Sequence, residues 1–174
     1  MALDRYDGSP STSRELSDAT AELIATDPNE LARSYLAFAP LEARLFAGDV
    51  ATFEDDLRAT EQPFEAWPAP IGIAKARTLR GLHAATEGRH EEGRQLLAGA
   101  LSTFTAVEHV PEILHTRVHL ARLGVVEGAD GAEEELEHAL VACARIGLAP
   151  PPELRIPPRS RSGAPREQSR ASLA

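Results

Sequence analysis

Apolar residues recur at helical spacing through most of this chain. Leu31, Tyr35, Phe38, Leu41 and Leu45 fall three or four positions apart, and Phe53 and Leu57 resume the pattern beyond Gly48-Asp49. A second pair of stripes follows: Ile73, Leu79, Leu82 and His83 or Ala84, then Leu96, Leu97, Ala100, Leu101 and Phe104. A third pair runs through Ile113, Leu114, Val118, Ala121, Leu123 and Val125, then Leu136, Ala139, Leu140, Cys143 and Ile146. No alternating strand pattern flanked by turn signals occurs. The pattern predicts an all-α protein.

Punctuation divides the stripes into helices. Asp27-Pro28-Asn29-Glu30 reads as a helix start, with Asp27 as cap and Pro28 in the first turn. Pro40 lacks an amide hydrogen and clashes with the preceding turn, so it is expected to kink or split its helix. Pro63, Pro68 and Pro70 mark residues 61–70 as a loop, with Trp67 packing over a helix end. Pro111 opens the third pair, and Gly147 with the prolines beyond it closes the last helix.

The turns repeat. Gly48, Gly88 and Gly128 stand 40 residues apart, and Leu57 and Leu97 share the same offset. Leu-Ala-Gly-Ala-Leu at 97–101 and Leu-Glu-His-Ala-Leu at 136–140 read as one element, after a one-residue deletion in the third turn. A period near 40 with two helices per unit is the mark of a helical repeat array, because one hairpin cannot bury its apolar face alone. The expected architecture is a right-handed solenoid of three helix hairpins over residues 15–148. A leading helix near 14–26 (Leu16, Ala19, Leu23, Ile24) would cover the open end, between a disordered lead-in at 1–14 and a disordered tail at 149–174.

Composition narrows the function. The chain has 174 residues, a net charge of −9, 30 Ala and a single Lys, Lys75. One cysteine, Cys143, excludes an internal disulfide framework and is expected to be a buried structural thiol. The tail holds six prolines and a charge of +3, leaving −12 on the first 148 residues. That balance argues against direct nucleic-acid binding by the folded domain. No apolar stretch reaches the roughly 20 residues of a membrane span, and the charged first fifteen residues do not read as a secretory signal. The cytoplasm is the expected compartment.

The best-formed unit, residues 76–101, resembles a tetratricopeptide-like repeat. Gly81 stands at the small position of its first helix, Gly88 at the turn and Ala100 at the late small position of the second helix, while Arg77, Ala84 and Gly93 depart from the pattern. Residues 104–149, with Ile113-Leu-His-Thr-Arg-Val-His-Leu-Ala-Arg-Leu123 and Leu136-Glu-His-Ala-Leu, are similar to the sensor repeats of actinobacterial LuxR-type and AfsR-type ATPase-coupled transcriptional regulators. The resemblance implies a repeat segment that binds a partner or ligand within bacterial signalling. The chain has no phosphate-binding loop ending in Gly-Lys-Ser/Thr.

No catalytic constellation is legible, and no cofactor or metal is expected. His115 and His119 are four apart on one helical face, with Glu112 a turn earlier, which permits a metal-ligand reading without the glutamate of zinc proteases. His83 and His90 straddle a turn. The acidic runs Glu54-Asp55-Asp56, Glu91-Glu92 and Glu133-Glu134-Glu135 complement helix dipoles in the first turns of second helices. In such an array the first helices line a concave groove. The repeat register puts Tyr35, Lys75 and His115 at equivalent positions there, beside Thr78, His119 and Arg122. Lys75 and Arg122 are suited to clasp a carboxylate or an acidic peptide.

The expected function is therefore non-catalytic binding of a protein or peptide in that groove. The alternatives are a small-molecule sensor using the same groove, a stand-alone remnant of a larger regulator, and a metal-dependent enzyme at His115 and His119. An uncapped array end also offers a surface for a homodimer.

Overall fold

The computed structural model describes residues 30–67 and 69–158. The expected lead-in, leading helix and Asp27-Pro28-Asn29 cap lie outside the described residues, as do positions 159–174. Among the described residues the protein is all-helical. It comprises α1 (Glu30–Ala47), α2 (Phe53–Ala66), α3 (Pro70–Thr86), α4 (His90–Ala106), α5 (Val110–Glu127) and α6 (Ala132–Arg145). None of these helices is long and apolar enough to cross a membrane.

Helices α1, α3 and α5 begin at residues 30, 70 and 110, which carries the 40-residue period into the fold. Each helix packs on the next, α1 on α3 and α3 on α5 as well, whereas α2, α4 and α6 make no contacts with one another. The main core joins Phe38, Leu41 and Leu45 of α1, Phe53, Leu57 and Phe64 of α2, and Leu79 and Leu82 of α3 to Leu97 and Leu123. A second cluster sets Leu114 and Val118 of α5 against Ala139 and Cys143 of α6, with Cys143 fully buried.

The three period-marking glycines all have positive φ, between +70° and +78°. Each closes its helix with the same pair of bonds. Gly48, Gly88 and Gly128 donate to Leu45, Ala85 and Val125, and the residue after each donates to Arg44, Ala84 and Gly124. That pairing satisfies helix-end carbonyls and needs a left-handed residue, which favours glycine. The end of α4 makes the same turn with Glu108, at φ +55°, in place of glycine.

Helix α1 is not split at Pro40, and α2 runs across Pro63 to Ala66, so residues 61–66 of the expected loop are helical. Packing overrides the local penalty in both cases. Phe38 and Leu41 are buried on either side of Pro40. Phe64, fully buried, stacks on Phe38 at 5.5 Å and holds the last turn of α2 in the core. Trp67 does not cover a helix end; it is 69% exposed.

Helices α3 and α4 touch backbone to backbone. A Cβ on Gly93 would stand 2.8 Å from the Gly81 carbonyl oxygen, which explains the small residues at both positions. Gly93→Val is expected to force the helices apart and cost roughly 1–3 kcal/mol, read from urea unfolding. Glu108→Gly is expected to act in the opposite sense. Relief of the left-handed strain outweighs the glycine's added chain entropy, raising stability by about 0.5–1 kcal/mol in the same measurement.

Candidate functional site

The first helices of the three hairpins meet at one polar cluster. Glu42 of α1, Lys75 and Thr78 of α3, and Glu112, His115 and His119 of α5 line a shared depression floored by Leu79 and Leu82. The sequence register thus brings Lys75, Thr78, His115 and His119 together. Tyr35 goes elsewhere. It packs edge-on against Phe64 at 4.7 Å, within the aromatic cluster of the first hairpin. The depression has a volume of about 10 Å³, which holds a single water at most.

Lys75 is not free to clasp an outside carboxylate. Its Nζ donates to Glu112 Oε1 at 2.8 Å. Burial pushes the ammonium down, but Glu112 and Glu42 outweigh burial and hold it above the usual lysine range. The Glu42 carboxyl is pushed up, chiefly by burial and further by Glu112, against the opposing pull of Lys75 and His115. Thr78 turns its hydroxyl back onto its own helix, donating to the Ala74 carbonyl at 3.0 Å. His119 is 4% exposed, with its ring 6.4 Å from that of Phe46. Burial, then the charges of Arg122, His115 and Lys75, push its pKa down to about 3.

Arg122 and His115 face a different occupant, the chain's own tail. The composition assigns everything from residue 149 onward to a disordered tail, yet residues 149–158 are laid along the fold. His115 Nε2 donates to the Ala149 carbonyl at 2.9 Å. One nitrogen of Arg122, Nη1, donates to both the Pro151 and Pro152 carbonyls, at 2.8 and 2.7 Å. Ala149, Pro150 and Pro151 each precede a proline, which restricts their backbone to extended geometry. Pro151 is buried. Farther on, Leu154 and Ile156 pack against the main core, while Glu153 and Arg155 between and beside them stay exposed. The path ends near the α3–α4 turn, where Pro157 approaches Gly88.

Beside its prolines and arginines the tail carries a second signal, the spacing of Leu154 and Ile156, two apart, which puts both on one side of an extended strand. Glu42, absent from the expected groove residues, interrupts the apolar stripe of α1 between Leu41 and Leu45. Among the described residues no three His, Cys, Asp or Glu side chains stand within metal-binding range. Glu112 is engaged by Lys75 and His115 by a backbone carbonyl, which separates the pair's expected third ligand from it.

The acidic first turns do more than complement dipoles. Asp56 accepts from Arg44 at 2.7 Å, tying the end of α1 to the start of α2, and Glu54 meets His83 Nδ1 at 3.0 Å and Arg80 Nε at 3.4 Å across α2 and α3. His90 is buried 3.9 Å from Glu127, which pairs with Arg94. A larger cleft of about 380 Å³ lies between α4, α5 and α6, with Leu101, Leu114 and Ala139 on its walls and Arg117, Glu135 and His138 at its rim.

No protein-family model, no curated protein and no solved structure matches this chain.

The His119 environment predicts acid sensitivity with a definite sign. The folded state holds the ring neutral down to about pH 3, whereas the unfolded chain takes up a proton near pH 6.5. Stability from this group is complete above pH 6.5 and is lost as the pH falls towards 3, at about 1.4 kcal/mol per pH unit. Urea unfolding between pH 6.5 and pH 4 is expected to show stability falling more steeply in the wild type than in His119→Phe, the two differing by about that slope.

Proposed function

We propose that the protein is a non-catalytic peptide-binding module, a helical-hairpin solenoid of tetratricopeptide-like type whose groove takes an extended segment. The observation that carries this reading is the pair of hydrogen bonds that Arg122 Nη1 donates to the consecutive carbonyls of Pro151 and Pro152, with His115 donating to Ala149. These are main-chain contacts, and main-chain recognition is how extended peptides are held on preformed surfaces. The solenoid reading is supported by the helix starts at 30, 70 and 110 and by the contacts of α3 with both α1 and α5.

The depression of about 10 Å³ lends no support to a metabolite pocket at the same residues. Its ionic groups neutralise one another, which suits a groove floor more than a reaction centre. The setting implied by the sensor-repeat resemblance is a bacterial regulator in which such a groove holds or releases a partner.

The test uses the full chain with its tail loosened by Leu154→Asp/Ile156→Asp, and a fluorescent peptide of residues 148–158. Saturable one-to-one binding by anisotropy is expected, weakened at least about tenfold by adding Arg122→Ala, which removes two charge-assisted bonds. Absence of binding to a loosened chain of unchanged helical circular dichroism would overturn the reading.

A further inference from the structure

The hydrogen bonding between groove and tail runs one way. His115 Nε2 and Arg122 Nη1 are donors, and what they meet are three carbonyl oxygens, those of Ala149, Pro151 and Pro152. An ordinary peptide brings an N–H with every carbonyl, and an N–H buried without an acceptor weakens binding five- to a hundredfold or so. The resident segment avoids that cost because residues 150, 151 and 152 are all proline and carry no N–H. The same prolines preset the extended backbone, so little conformational freedom is lost on docking. Beyond them the side chains alternate. Leu154 and Ile156 go to the core formed by Phe38, Leu41, Leu79 and their neighbours, and Glu153 and Arg155 go to solvent.

We infer that the partner of this groove is a proline-rich segment of another protein with the pattern Pro-Pro-Pro-x-Φ-x-Φ, where Φ is a large aliphatic residue. Residues 149–158 are then the resident competitor, holding the groove until such a segment displaces them. This inference rests on the peptide-binding reading above and adds the ligand class to it. The pattern follows from complementarity: a groove that presents donors selects a backbone stripped of donors, and two apolar sites two residues apart select the alternation that follows. The tether keeps the tail at a high effective concentration. An outside segment must therefore bind the wild-type chain more weakly than the loosened one.

The test compares four peptides spanning 148–158 on the loosened full chain and on the wild type, by competition against the fluorescent peptide. They are the native sequence, Pro151→Ala/Pro152→Ala, Leu154→Ala/Ile156→Ala and Arg155→Ala. The expected order is native and Arg155→Ala within about twofold of each other, and the other two weaker by about tenfold or more. The wild-type chain should give the same order at lower affinity, so the ranking does not depend on the loosened variant folding. Proline-substituted peptides that bind as tightly as the native one would overturn the ligand class while leaving the groove reading intact. No binding by any peptide would overturn both. Sedimentation of the wild-type chain covers the remaining occupant. A monomer is expected, and a dimer dispersed by the native peptide would identify a second copy's tail as the ligand, overturning the assignment to another protein.

Discussion

Lys75 lies where α1, α3 and α5 converge, and its ammonium answers two carboxylates from the other two helices, Glu42 and Glu112. Partly buried charges are costly to desolvate, and such a cluster repays that cost only while every member keeps its partner. Without Lys75, two carboxylates would face each other where the first helices of all three hairpins meet. The balance has a second effect. Because the ionic groups satisfy one another and His119 is held neutral, the floor of the groove has little charge left for an outside ligand. The contacts to the tail come instead from Arg122 and His115.

At that edge the protein has solved a problem of hydrogen-bond sign. Arg122 carries only donors, and burial pulls its pKa down somewhat from the usual arginine range, so its environment must supply acceptors. Two proline carbonyls do so from a segment that brings no N–H of its own. The segment also links the two halves of the structure. Leu148 packs with the α5–α6 cluster, and Leu154 and Ile156 pack with the core built mainly from the first two hairpins. Helices that otherwise touch only their near neighbours are bridged by a strip of chain crossing them.

The repeat supplies the frame within which these differences operate. The same glycine-closed turn follows α1, α3 and α5, so their register is set locally. Within that register each hairpin is specialised. The first carries the aromatic cluster of Tyr35, Phe38 and Phe64, the second the backbone contact of Gly81 and Gly93, and the third the cationic edge. Repeat geometry places equivalent positions on comparable faces, and side-chain chemistry decides what each does there.

The sequence by itself determined the all-α class, the 40-residue period, the glycine turns and the face shared by Lys75, Thr78, His115 and His119. Each depends on residues close in the chain, or on a period that repeats them. Tyr35 occupies the same register as Lys75 and His115 but joins Phe64, because a large ring gains more from an apolar neighbour than from a polar cluster. Pro63 signalled a loop where the burial of Phe64 keeps α2 helical to Ala66. Only the tertiary structure decided that Glu42 and Glu112 would meet around Lys75, and that Arg122 would hold Pro151 and Pro152. Those groups stand some thirty residues or more apart in sequence, and their meeting follows from how three helices and a tail are superposed, which no local spacing encodes.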